Sequence, residues 1–290
     1  MTQPSILVIG ATGTVGSELV KQLAAAGVKP RALVRTRDKA EAVAALATPV
    51  IGDLARPESL ADAFRGAERV FVLAPPTPEQ ERLERNAFDA AMAAGAKRIV
   101  FLSNYGAAVG DEDRHFHVHG KHERRLASLG VDWTALRPTR FMNYTPFVWP
   151  SVLQRGLLIE GGGEGAITVI DPSDIAAVAV KALTEDGHDG QAYELTSEDS
   201  FTAAELAQTI SRVLRRDITL FEGDLDALRA ALIENGAPGD YAPLMAGAFA
   251  KVAAGVFKRT DTVGKLLGRA PRAYADWLEH NLPVAQGAAE

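Results

Sequence analysis

Short apolar runs recur along the first half of the chain, separated by longer segments of mixed polarity. Ile6-Leu7-Val8-Ile9, Ala32-Leu33-Val34, Pro49-Val50-Ile51, Arg69 to Ala74, Arg98 to Ser103 and Asp132 to Arg137 are almost continuously hydrophobic, without strict alternation. Strands of that kind are covered on both faces, as in a parallel sheet flanked by helices. The intervening segments, Ser17 to Ala26 and Pro57 to Arg65 among them, carry apolar residues at helical spacing. The alternation predicts an α/β fold with a doubly wound parallel sheet. In such a sheet a ligand lies outside the carboxyl ends of the strands, which selects Gly10, Arg35, Asp53, Ala74, Ser103 and Arg137 as the lip of one crevice.

The alternation weakens beyond about residue 145. Gly161-Gly162-Gly163 marks a loop, and later helical segments are interrupted by Gly and Pro. A first domain over 1–145 and a smaller lobe over 146–290 are expected, with later segments free to return to the sheet. Ser173 or Asp174 reads as a cap or first-turn acid for the helix through Ile175 to Leu183. Thr202 and Glu205 form a capping box for Thr202 to Leu214, and Arg215-Arg216 would complement the dipole at its far end.

The turn after the first strand, Gly10-Ala11-Thr12-Gly13-Thr14-Val15-Gly16, changes this picture from architecture to chemistry. Gly10 permits a tight turn, Gly13 lets backbone approach a pyrophosphate, and Gly16 permits close packing of helix on strand. The helix N-terminus supplies free N–H groups and positive potential. The next apolar run ends in Arg35, where dinucleotide folds contact the adenosine ribose. A guanidinium there pairs bidentately with a 2′-phosphate, whereas a carboxylate would accept from a free 2′-hydroxyl, so Arg35 selects NADP(H) over NAD. Arg37 and Lys39 reinforce the preference; the plainer alternative is a solvated charge at a strand end.

Composition sets outer limits. The 290 residues have a net charge of −6, a 47% hydrophobic content and no cysteine. The charge lacks the basic excess of a nucleic-acid binder. Without cysteine there are no disulfides, thiolate catalysis or thiolate-bound metals. No stretch of about 18 apolar residues occurs, and the N-terminus has no basic segment leading into an apolar one, so a cytoplasmic location is expected.

The segments Gly10 to Gly16, Leu33-Val34-Arg35, Gly52-Asp53-Leu54, Lys121 to Arg137-Pro138, Phe141-Met142-Asn143, Val169 to Ala176 and Gly268 to Arg272 occur in an order that resembles the NmrA-like branch of the atypical short-chain dehydrogenases/reductases. That resemblance implies a Rossmann fold binding NADP(H), with Gly10, Thr12, Gly13, Thr14, Val15, Gly16, Arg35, Asp53, Leu54, Ala74, Pro75, Ser103, Lys121, Pro138 and Asn143 around the cofactor. It implies a reductase of quinones, azo dyes or triphenylmethane dyes, acting as a monomer or homodimer on a small molecule. Some relatives of this kind bind NADP without turnover as redox sensors, and an epimerase or dehydratase that retains its cofactor is a third reading.

Short-chain dehydrogenases typically carry a tyrosine four residues before a lysine, so that both share a helix face. Here His117 stands in the tyrosine position before Lys121. Lys121 would orient the nicotinamide ribose; His117 would donate the proton or simply pack in the wall. Tyr105, just after Ser103, is an alternative acid or a loop aromatic over the cofactor. His115, His119 and His122 would share a face of a helix, which alone does not make a metal site, and no metal is expected. Phe141, Tyr144 and Phe147, with Met142 and Trp149, would line a flat apolar substrate pocket or serve as core.

Overall fold

The computed structural model describes residues 4–143, 148–237, 239 and 241–282. Contacts divide the chain into two compact units, one running to Pro138 and including Pro172–Glu194, the other comprising Thr139–Asp171 and the chain from Leu195 onward. The division therefore cuts the chain at three places, where sequence alone marks a single boundary near 145.

The first unit holds β1 (Ile6–Val8), β2 (Arg31–Val34), β3 (Thr48–Ile51), β4 (Arg69–Val72), β5 (Arg98–Leu102), β6 (Asp132–Pro138) and, later in the chain, a strand over Gln191–Leu195. In space the order is β3-β2-β1-β4-β5-β6, with the Gln191–Leu195 strand outside β6. β1 pairs parallel with both β2 and β4, so the order reverses beside it. Crossover helices on both faces make the doubly wound arrangement, and the reversal point opens a crevice at the carboxyl end of β1. Leu7, Ile9, Leu33, Phe64, Val72, Phe88, Ile99 and Phe101 form one continuous buried core. Its strand residues belong to the near-continuous apolar runs of the sequence, explained by burial on both faces, while Phe64 and Phe88 are supplied by covering helices.

The helices are α1 (Thr14–Ala25), α2 (Arg37–Val43), α3 (Leu60–Phe64), α4 (Gln80–Ala93) and α5 (Arg114–Ser128). A 3₁₀ turn over Pro57–Ser59 leads into α3, so the segment expected to be one helix begins more tightly. After a passage through the other unit, a helix over Pro172–Thr184 packs against α1 and the sheet. Two arginines at strand starts hold its far end: Arg69 donates to the Leu183 carbonyl, and buried Arg98 donates to those of Ala182 and Glu185. Guanidinium donors at orphan carbonyls satisfy a helix C-terminus that lacks its own partners.

In the second unit β7 (Arg140–Phe141) pairs with β9 (Ile167–Ile170), and β9 pairs antiparallel with β11 (Ser200–Phe201). β8 (Leu157–Leu158) pairs with β12 (Thr219–Leu220), leaving β10 for the Gln191–Leu195 strand of the first unit. Helices α6 (Trp149–Arg155), α8 (Ala203–Leu214), α9 (Leu225–Glu234), α10 (Tyr241–Ala253), α11 (Thr262–Leu267) and α12 (Tyr274–Asn281) complete it, α7 being Pro172–Thr184. The capping box at Thr202 and Glu205 is present with both bonds. Arg216, however, donates to the Leu153 and Gln154 carbonyls at the end of α6 rather than serving α8, while Arg215 takes a left-handed conformation at φ 51° to end α8. No helix among the described residues is long and apolar enough to cross a membrane.

Candidate functional site

The turn between β1 and α1 is built around backbone proximity. Gly10 sits at φ +76°, a conformation glycine adopts without steric cost, and its carbonyl accepts from the Gly13 N–H at 2.9 Å. A Cβ on Gly16 would lie 2.1 Å from the Gly10 oxygen, so only glycine lets α1 start this close to the strand. No side chain caps α1 at Gly13, and Thr12, Gly13 and Thr14 are exposed while Val15 and Gly16 are buried. The result is an open cradle of first-turn N–H groups, complementary to a phosphate.

Beside it, at the end of β2, Arg35 is exposed and makes no hydrogen bond or ion pair among the described residues. Arg37 and Lys39 follow on exposed positions of α2. Three cations thus stand at the strand end with no carboxylate engaged by Arg35. Asp53 is differently occupied: its Oδ1 accepts from the Ala55 N–H at 2.9 Å, and its own N–H donates to Ser59 Oγ. It shapes the β3 turn, and the Leu54 carbonyl next to it is tied to Asn86 of α4. Ala74 is buried and Pro75 exposed after β4.

At the ends of β5 and β6 the side chains form a chain of contacts. The Ser103 hydroxyl donates to Glu123 Oε1 at 2.5 Å, and Glu123, on α5, is gripped by Arg137 through Nε at 2.9 Å and through its terminal nitrogen. Glu123 is 8% exposed, so the guanidinium replaces water as the partner of this carboxylate. Sequence reading found Ser103 and Arg137 on the crevice lip but missed the carboxylate joining them; its position two residues after Lys121 gives no signal of its own. Arg137→Leu strands that carboxylate and is expected to lower unfolding free energy by about 2–4 kcal/mol in urea denaturation. An unchanged midpoint would show the pair to be idle.

The backbone of Tyr105 is fixed by its N–H donating to the Pro138 carbonyl, and the ring is buried. The loop it opens lies flat on α5. Gly120 has no room for a Cβ, which would fall 2.5 Å from the Ala108 carbonyl carbon, and His117 Nδ1 accepts the Gly110 N–H at 2.9 Å. Lys121, exposed one turn further on, is paired with Glu81 of α4. His117 and Lys121 therefore share a helix face, but each has a protein partner.

A profile of the NAD(P)H-binding family matches residues 10–186, which include the phosphate turn, Arg35 and α5. The chain belongs to the NAD(P)H-binding family. An NAD(P)H azoreductase of Xenophilus azovorans is 34% identical over 94% of this chain and 96% of its own. The solved NADPH-dependent quinone oxidoreductase of Escherichia coli, complexed with NADPH, superposes with a TM-score of 0.87 at 28% identity, covering 95% of this chain and 99% of that one. A Citrobacter sp. triphenylmethane reductase complexed with NADP(H) gives 0.84 at 25% identity, covering 93% and 98%.

Behind its crevice, this NAD(P)H-binding protein buries a polar cluster between α4 and α5 that the sequence did not reveal. Gln80 Nε2 donates to Glu84 Oε1 at 3.1 Å and lies 3.3 Å from His119 Nε2, while Glu84 Oε2 stands 3.2 Å from His122 Nε2. His115 meets the His119 ring edge-on. The histidines do share a face, as their spacing predicts, but His119 and His122 pack on Phe88 and Phe101 as core. Among the described residues no three His, Cys, Asp or Glu are disposed to hold a metal ion.

Burial pushes the Glu84 carboxyl up to about 8, against the Gln80 and Ala74 donors, and pushes His122 down to about 4. Near neutral pH the two face each other uncharged. The folded state then holds a Glu84 proton that the unfolded state, near its ordinary 4.5, releases. This group's contribution is thus most favourable below about pH 4.5 and declines as pH rises toward about 8. Glu84→Gln keeps a neutral acceptor and is expected to gain about 1 kcal/mol or more on wild type between pH 5 and pH 8. Parallel urea titrations at the two pH values check it; identical pH slopes would refute the assignment.

The other proposed contacts belong to the second unit. Phe141 and Asn143 are half-buried, Met142 is in the core, and Trp149 packs against that core. Tyr144 and Phe147 lie outside the described residues.

Proposed function

We propose that the chain is an NADPH-dependent reductase that passes hydride to a small, planar, conjugated acceptor. The observation that carries this reading is the open phosphate cradle at Gly10–Gly16, with Arg35 at the end of the neighbouring strand unpaired among the described residues. The cradle suits a pyrophosphate and the guanidinium suits a 2′-phosphate. The azoreductase, quinone oxidoreductase and triphenylmethane reductase relatives support both the reaction type and the acceptor class. A cytoplasmic location fits a cofactor regenerated inside cells, and a small-molecule acceptor is the partner.

When bound, the nicotinamide supplies the hydride; the chain's residues bind, orient and exclude water. The proton, where the acceptor needs one, comes from solvent. With Gly110 donating to Nδ1, neutral His117 carries its proton on Nε2, and losing it would leave an imidazolate; a cationic ring would instead put two donors face to face. Lys121 is held by Glu81, and Tyr105 is buried. Ser103 and Lys121 serve as positioning and cofactor-side groups in this reading.

The test is a titration of the purified protein with NADPH and with NADH, followed by absorbance at 340 nm with quinone, azo and iminium acceptors. Preferential NADPH binding with acceptor-dependent oxidation is expected. Tight NADPH binding without oxidation would favour the sensor, and no nucleotide binding would overturn the reading.

A further inference from the structure

Ser103 stands at the carboxyl end of β5, and its single hydroxyl proton is already committed. The hydroxyl donates to Glu123 Oε1 at 2.5 Å, and the backbone N–H donates to the Leu136 carbonyl of β6 at 2.7 Å, so the residue is fixed from two sides. Glu123 is fixed in turn: Arg137 Nε donates to the same Oε1 at 2.9 Å, and a terminal nitrogen of Arg137 donates to Oε2. Both Ser103 and Glu123 are buried. A carboxylate offers only acceptors, and a hydroxyl has one proton. Ser103 therefore meets any further ligand solely as an acceptor. Donation to a carboxylate polarises its oxygen and makes it a stronger acceptor than a free hydroxyl.

This polarity decides which ligand group fits. A serine at this strand end with a free proton could donate to the carbonyl or azo nitrogen of a substrate; here that role is closed. The sheet reverses beside β1, with β2 and β3 on one side and β4, β5 and β6 on the other. A pyrophosphate on the β1 turn, with Arg35 marking the adenosine side at β2, assigns the nicotinamide nucleoside to the β4–β6 side. That nucleoside carries two kinds of donor, ribose hydroxyls and a carboxamide N–H. Hydroxyls donate and accept alike, so a fixed acceptor gives them no orientation. A carboxamide has a donor end and an acceptor end, and a fixed acceptor distinguishes them.

We propose that Ser103 accepts a hydrogen bond from the cofactor's carboxamide N–H, and that Glu123 is a positioning residue that keeps the serine in this polarity. The proposal rests on the NADPH-dependent reading and deepens it at the same crevice. A fixed point on the carboxamide restrains rotation of the ring about its glycosidic bond, so one face is presented for hydride transfer. No proton leaves Ser103 in this role.

The test compares NADPH with its reduced 3-acetylpyridine analogue, in which a methyl group replaces the amide nitrogen and the carbonyl is kept. Calorimetric titration of each without an acceptor measures binding independently of turnover. Wild type is expected to bind NADPH about three- to tenfold tighter than the analogue, the scale of one net hydrogen bond. Ser103→Ala leaves Glu123 on Arg137 and should reduce the preference below about twofold. The double variant Glu123→Leu/Arg137→Leu removes both charges together, so neither is stranded, and frees the serine to donate as well as accept. Its preference should also fall below about twofold. A purely structural role would weaken both cofactors in parallel and leave their ratio untouched. Retention of the wild-type ratio by either variant, or equal affinity of wild type for the two cofactors, would overturn the proposal even in a protein that binds and oxidises NADPH normally. Binding of neither cofactor by wild type would overturn the reductase reading and the proposal with it.

Discussion

Gly16→Val is expected to weaken NADPH binding by about a hundredfold or more and to lower the unfolding temperature. The new Cβ alone would sit 2.1 Å from the Gly10 oxygen and 2.6 Å from its carbonyl carbon. Backbone cannot rotate away as a flexible side chain can, so either α1 moves off β1 or the Gly10 turn opens. Overpacking of this kind costs about 1–3 kcal/mol. Either movement also breaks the Gly13-to-Gly10 hydrogen bond and turns the first-turn N–H groups off their common focus. A hundredfold loss corresponds to about 2.7 kcal/mol, within reach of these terms together. Gly13→Ala provides the contrast, since its Cβ would approach no closer than 3.3 Å, at Gly10 oxygen; its stability should stay within about 1 kcal/mol of wild type. NADPH fluorescence titration and thermal unfolding read both. Retention of wild-type affinity by Gly16→Val would remove the phosphate turn from the cofactor site.

That turn was readable in the sequence because its signals are local. Spacing of Gly10, Gly13 and Gly16 after an apolar run specifies a strand, a tight turn and a helix within a few residues. The parallel sheet was readable for a similar reason, since strands buried on both faces cannot hide their composition. The groups that organise the crevice were less so. Glu123 joins Ser103 to Arg137 across three elements, and Glu84 meets His122 between two helices; neither pairing has a sequence period. Arg216 looked like the natural complement to the helix it follows, yet the left-handed turn at Arg215 directs the chain so that it serves α6. The return of α7 to the first unit depends likewise on distant donors, Arg69 and Arg98. Local rules describe elements, whereas long-range polar partners decide where those elements go.

Arg35→Asp is expected to reverse nucleotide choice: NADPH affinity should fall by about 10- to 100-fold, while NADH affinity holds or improves. The guanidinium lies exposed at the end of β2 with no partner among the described residues, so it brings no internal ion pair to lose and stability should change little. Charge-assisted, bidentate bonds to a phosphate are worth about 1.5–3 kcal/mol, which sets the scale of the loss. An aspartate at that position repels a 2′-phosphate and accepts from a 2′-hydroxyl, giving the opposite sign for NADH. Arg37 and Lys39 remain in the variant and soften the repulsion. Arg35→Gln should therefore lose NADPH affinity without the gain for NADH, separating loss of attraction from added repulsion. Paired titrations at fixed low ionic strength check the ratio, and raising salt should compress it for the wild type. If both nucleotides bind Arg35→Asp as they bind wild type, the phosphate is held elsewhere and Arg35 is only a solvated end of its strand.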